Sequence, residues 1–165
     1  LVNGEEKLAC KTVIDRDLAI TLPGKTETRI LTDSLSVEAR ADGAHEYVLA
    51  FDIGTTTVVA YLLDGCSGNL LAQASAMNPQ SQYGADVISR IPLVLDEKTT
   101  ALRDGIRVAM MDLTRQAART AGIAVEQITA AAIVGNTAMH HLLLDIDPSP
   151  LVTPPYMPAV SEAIQ

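Results

Sequence analysis

Tryptophan is absent from this chain of 165 residues, phenylalanine occurs once and tyrosine four times. A core without large rings must be filled by Ala, Val, Ile and Leu. Hydrophobic residues make up 48 % of the chain, enough for a compact fold and too many for a disordered one. Basic excess is missing as well: 12 Lys and Arg face 20 Asp and Glu, a net charge of −8. Neutralising a phosphate backbone needs a basic face, so nucleic acid is excluded as the natural partner. No apolar run is long enough for a bilayer span, and a start containing Glu5, Glu6 and Lys7 is not a signal peptide. No membrane partner is expected. Two cysteines, Cys10 and Cys66, make no disulfide framework, and a reducing cytoplasm is the expected setting. The chain also lacks an initiator Met and a helix stop before Gln165, which reads as a piece of a longer protein.

Organisation changes near residue 47. Before it, Thr12-Val13-Ile14 and Leu18-Ala19-Ile20-Thr21-Leu22 read as two short strands stopped by Pro23-Gly24, followed by a polar linker. The expected units are 1–24, 25–46 and 47–165. In the third unit, Val48-Leu49-Ala50-Phe51 reads as a strand buried on both faces. Gly54-Thr55-Thr56 turns the chain, and Thr57 to Leu63 is a β-branched return strand. Asp64 to Asn69 is a second turn and Leu70 to Met77 a third strand. The period then changes. Gly84 to Ile91 reads as a short helix ended by Pro92. Thr99 or Thr100 opens a long one with the stripe Leu102, Ile106, Met110, Leu113 and Ala117, stopped by Gly122. Ile128 to Val134 reads as a fully buried fourth strand. Gly135-Asn136 turns it into a helix, Thr137 to Leu144, and the proline-rich tail after Asp145 excludes regular structure.

An apolar strand ending in Asp52-Ile53-Gly54-Thr55-Thr56-Thr57 and returning at once is a physical device for holding phosphates. Glycine brings the backbone close to an anion without a Cβ in the way. The amides of Thr55 and Thr56 can point at phosphate oxygens, and the threonine hydroxyls add donors. Asp52, at the strand end, can hold a hydrated Mg²⁺ beside them. The alternative is a hairpin turn that happens to be rich in threonine.

Phe51-Asp52-Ile53-Gly54-Thr55-Thr56-Thr57 resembles the first phosphate motif of the actin-like (ASKHA) superfamily of actin, hexokinase and heat-shock-70 proteins. Two further stretches narrow the resemblance: Asn78-Pro79-Gln80-x-x-Tyr83-Gly84-Ala85-Asp86-Val87-Ile88-Ser89-Arg90-Ile91, and Ile133-Val134-Gly135-Asn136-Thr137-Ala138-Met139-His140-His141. Together they resemble the ATP-dependent reductive activators of corrinoid proteins, in which an iron–sulfur domain precedes the ATPase. The resemblance implies an α/β, ribonuclease-H-like fold, of which residues 47–165 are the first half. It implies ATP and Mg²⁺ as ligands, with Asp52 catalytic and metal-holding and Gly54, Thr55, Thr56 and Thr57 on the phosphates. It also places the Asn136–Thr137 corner at the cleft, as ligand contacts or as a helix cap; Asn78 and Gln80 look similarly placed. Residues 7–23 resemble the end of a plant-type [2Fe–2S] domain, which makes Cys10 a fourth cluster ligand whose companions lie outside this chain. The implied activity is the return of a Co(II) corrinoid protein to Co(I). The corrinoid protein is the implied partner, and a homodimer is left open. The rivals are a small-molecule kinase on the same fold and a non-catalytic docking fragment.

Ala19-x-x-x-x-Gly24-Lys25-Thr26 matches a relaxed P-loop pattern, but Ala19 to Leu22 reads as strand and no apolar-periodic helix follows. His140-His141 with Asp145 lacks the spacing of a zinc site.

Overall fold

The computed structural model describes Ala41, residues 43–93 and residues 99–164. Cys10, the 1–24 unit and nearly all of the 25–46 linker lie outside the described residues. Within them run β1 (Tyr47–Ile53), β2 (Thr57–Asp64), β3 (Leu70–Met77), α1 (Val87–Leu93), α2 (Thr99–Ala121), β4 (Ile128–Gly135) and α3 (Thr137–Leu144). The expected α/β order is present, and the third strand and last helix carry the expected bounds.

The sheet has the order β3-β2-β1-β4. Antiparallel pairing joins β1 to β2, from Tyr47↔Asp64 to Ile53↔Val58, and β2 to β3. Short turns suffice for such pairs. At the β2–β3 turn the Ser67 N–H donates to Asp64 Oδ1 at 2.7 Å, and Gly68 takes a φ of 75°. β4 runs parallel to β1, from Val48↔Ala130 to Ile53↔Gly135. A parallel partner needs a long crossover, and α1 and α2 supply it.

α2 lies chiefly over β2 and β3. Its Leu102, Ile106, Leu113 and Ala117 pack onto Leu49, Phe51, Val58, Ala60, Leu62 and Ala74, while Met110 is only partly buried. Gly122, at φ 73°, ends it as expected, and the Ile123 N–H returns to Ala118 O at 3.1 Å. Arg107 Nη2 donates to Leu143 O at 3.4 Å and Arg103 pairs with Asp145 at 2.9 Å, which ties α2 to α3 and its exit. After α3 the described tail holds one short 3-10 turn, Ser149–Leu151. No helix among the described residues is long and apolar enough to cross a membrane.

Three expectations need correction. β1 is buried on one face only: Leu49, Phe51 and Ile53 face α2, whereas Asp52 on the other face is exposed. β4 is not buried, with Ile133 46 % and Val134 63 % exposed. It is the last strand of the sheet, and α2 sits over the opposite half. A groove of about 660 Å³ runs along it, lined in part by Ala131, Val134, Thr137, Leu144 and Ile164. The short helix starts at Val87 rather than Gly84, because Asp86 caps it: the Ser89 N–H donates to Asp86 Oδ1 at 2.7 Å. It runs through Pro92 to Leu93. Pro92 stands in its last turn, so only a terminal hydrogen bond is forfeited.

Ile106 is 1 % exposed at the centre of the α2 face. Ile106→Ala is expected to lower unfolding free energy by about 2–5 kcal/mol, read from urea denaturation. Acid sensitivity follows from the turns. Backbone N–H donors from Ser67 and Ser89 hold the Asp64 and Asp86 carboxyls below their usual value, and Ser149 does the same for Asp147 through its hydroxyl first. A carboxyl lowered on folding stabilises above its unfolded value of about 3.9, and that contribution is lost as pH falls through the folded value. The thermal midpoint is expected to drop as pH is taken below 4. The combined Asp64→Asn and Asp86→Asn variant should show a flatter acid limb.

Candidate functional site

The β1–β2 turn is a tight loop in which the Gly54 N–H donates to Thr57 O at 2.8 Å. Glycine is required here for space. Gly54 has no positive φ, but a Cβ on it would lie 2.9 Å from that same Thr57 carbonyl oxygen, inside any real Cβ contact.

The three carbonyls that follow all accept from the interior. Asn78 Nδ2 donates to Gly54 O at 2.8 Å. Arg90 Nη2 donates to Thr55 O at 2.7 Å. The Asn78 N–H donates to Thr56 O at 2.7 Å. These peptides are trans, and a trans peptide points its N–H away from its C=O. The Thr55 and Thr56 amides therefore face away from Asn78 and Arg90, and among the described residues neither donates to a protein acceptor. Two adjacent free amides at a strand turn form an anion-binding nest.

Asp52 stands at the mouth of this turn. It lies between Val59 and Val134 in the sheet, with its carboxylate exposed on the face opposite α2. Asn136 approaches from the other side: its Oδ1 accepts from the Met139 N–H at 3.0 Å, capping α3, and its Nδ2 donates to Thr55 Oγ1 at 3.1 Å. Gly135 lets β4 come this close, since a Cβ there would sit 3.0 Å from Ile53 O. The structure thus brings together Asp52, Gly54, Thr55, Thr56 and Asn136. Thr57 opens β2, and Thr137 is exposed at the first position of α3 without a direct bond to the hairpin.

Asn78 and Gln80 are not at the cleft surface. Both are buried; Asn78 binds the hairpin and Gln80 Nε2 donates to Leu102 O at 3.1 Å. Arg90 was part of a quoted motif but assigned no role. Its signal is positional: it stands three residues after Val87 and just before Ile91, on the inward face of α1, where an arginine must find acceptors.

A lone exposed carboxylate beside two free amides is a donor set that suits a hydrated Mg²⁺, an ion that keeps most of its waters. A [2Fe–2S] cluster does not fit this chain's own residues. Four thiolates are needed, the sequence has two cysteines, and Cys66 is exposed in the β2–β3 turn. Among the described residues no three His, Cys, Asp or Glu side chains group as a metal set.

Residues 47–165 match the family model described as the RACo middle region. The chain belongs to the RACo middle region family. Corrinoid activation enzyme RamQ of Eubacterium limosum is 38 % identical over 120 residues, which are 72 % of this chain and 20 % of that protein. The solved structure of a reductive activator for corrinoid, iron–sulfur protein is 41 % identical, with a TM-score of 0.66. That match covers 70 % of this chain and 19 % of that one. This RACo middle region therefore spans about a fifth of the length of the relatives it matches. The resemblance to reductive activators and the mixed α/β architecture both hold.

The double role of Asn136 can be separated by substitution. Asn136→Ala should lower stability by about 1 kcal/mol through loss of the cap, whereas Asn136→Asp keeps an acceptor for the Met139 N–H and most of that stability. Chemical denaturation of both variants checks this.

Proposed function

We propose that this chain supplies half of the ATP-binding cleft of a reductive activator, a longer protein that returns Co(II) corrinoid proteins to Co(I). The observation that carries the reading is the pair of free amides at Thr55 and Thr56, backed by fixed carbonyls and flanked by the exposed Asp52. Phosphate oxygens accept from those amides and from the threonine hydroxyls, while Gly54 leaves the approach clear. Asp52 would hold Mg²⁺ through its water shell, and the ion supplies neutralisation of charge on the phosphates. Asn136, bonded to Thr55 Oγ1, orients that hydroxyl, and Thr137 offers a further donor at the corner.

The names of both relatives concern corrinoid activation, which favours this reading over a small-molecule kinase. Corrinoid-protein docking, the iron–sulfur cluster and any dimer contact belong to the whole parent, which we place in the cytoplasm. No electron-transfer step is assigned to residues of this chain. The nucleotide's effect on the partner follows from differential affinity: a ligand that prefers one state of a two-part cleft shifts every contact that depends on closure.

Variants of the full-length parent that remain folded by circular dichroism test the site through ATP hydrolysis. Gly54→Val should abolish it by forcing the Thr57 carbonyl away. Asp52→Asn should lower turnover about a hundredfold, the usual loss for one transition-state charge contact, with a smaller effect on nucleotide affinity. Thr57→Val should be mildest. Near-normal hydrolysis by Asp52→Asn would reduce the hairpin to a structural turn and remove the ATPase reading.

A further inference from the structure

The nest depends on a residue 35 positions further along the chain, and the geometry points to Arg90 as the positioning residue that sets the phosphate-facing amides. This role rests on the reading of the hairpin as a phosphate site.

Arg90 has no exposed surface. Among the described residues no carboxylate lies in ion-pair contact with it. Burial pulls its guanidinium below the ordinary arginine value, with the more distant Asp86 partly offsetting this, and an arginine stays charged in a protein all the same. A buried cation without a counter-ion is costly, so it is kept where its donors are used. Here they are spent on backbone. Nε donates to Gly84 O at 2.8 Å and Nη2 to Thr55 O at 2.7 Å, with Nη1 facing Met139 Sδ at 4.0 Å.

Three consequences meet at one peptide. Holding Thr55 O inward turns the N–H of the same peptide unit, that of Thr56, outward. A charged donor on a carbonyl polarises the peptide, which strengthens the N–H at its other end. The full positive charge also stands behind a surface meant for an anion, in a chain whose net charge is −8. Asn78 fixes the neighbouring carbonyls without charge, so Arg90 is the member of the pair that also biases the site electrostatically. The two bonds go to different segments, the Gly84 end of the β3–α1 connection and the hairpin, and a planar fork spans both. A lysine ammonium has no such fork. Asn78 and Arg90, near the two ends of the stretch from Asn78 to Ile91, thereby buttress the hairpin.

The test compares ATP with adenosine, which carries no phosphate, by calorimetry on the full-length parent. Folding is checked by circular dichroism. Wild type should bind ATP more tightly than adenosine. Folded Arg90→Met should lose about tenfold to a hundredfold in ATP affinity, the range for a charge-assisted hydrogen bond, and bind adenosine unchanged. Arg90→Lys should recover part of the loss. An equal loss for ATP and adenosine would assign Arg90 to general structure and overturn the proposal. So would unchanged ATP affinity in folded Arg90→Met while Gly54→Val loses it, a result that leaves the hairpin reading intact. Equal binding of ATP and adenosine by wild type would remove the hairpin reading and this proposal with it. Failure of both arginine variants to fold would also overturn it, because the arginine would then serve the core alone.

Discussion

A guanidinium with no water around it has to place its hydrogen bonds inside the fold, and in this chain the available acceptors are main-chain carbonyls. Much of the geometry near the turn follows from that requirement. α1 must begin where Arg90 can reach Gly84, which the Asp86–Ser89 cap arranges. The β1–β2 turn must present Thr55 O inward. Asn78 must be buried beside it, at the end of β3, with its amide and side chain both on the hairpin. Met139 then closes the space from α3, its sulfur 3.6 Å from Asn78 Nδ2. Strand end, turn and two helices are thus coupled through one patch of polar atoms in an otherwise aliphatic interior.

Where glycine or a tight turn decides a boundary, the sequence was legible, whereas the local Asp86 cap that opens α1 was missed. The two turns of the meander carry glycine and Asp-Gly signals, and β2 and β3 lie within a residue of expectation, while β1 runs two residues further, to Ile53. Gly135-Asn136 marks the β4–α3 corner, and Gly122 stops α2. Nonlocal facts were not legible. The run from Ile128 to Val134 is apolar whichever neighbours cover it, and its composition says nothing of its place at the sheet's end. The same holds for β1, where Val48 and Ala50 suit a covered or an open face equally well. At the site, the hairpin and its glycine could be read directly. The bonds from Asn78 and Arg90 span 24 and 35 residues and leave no periodic trace, so the supporting half of the site emerged only in three dimensions.

On the proposed reading, an acidic chain has to hold polyphosphate against its own global field. The solution here uses few charges. Backbone dipoles supply the donors, and one buried cation reinforces them. Asp52, the nearby negative charge, fits such a site when a divalent ion stands between it and the phosphates. The ligand proposed for the turn is accordingly a metal–nucleotide pair rather than a bare anion.

β4 contributes a different property. Among the described residues its outer edge has no strand partner, and Ile133 and Val134 are exposed beside it, the surface on which a second strand can template. Like copies of the chain repel through a net charge of −8. These two tendencies respond oppositely to electrolyte, which screens the repulsion while sulfate-type salts strengthen apolar contact. The tendency of isolated copies to associate is consequently sensitive to both the type and the concentration of salt.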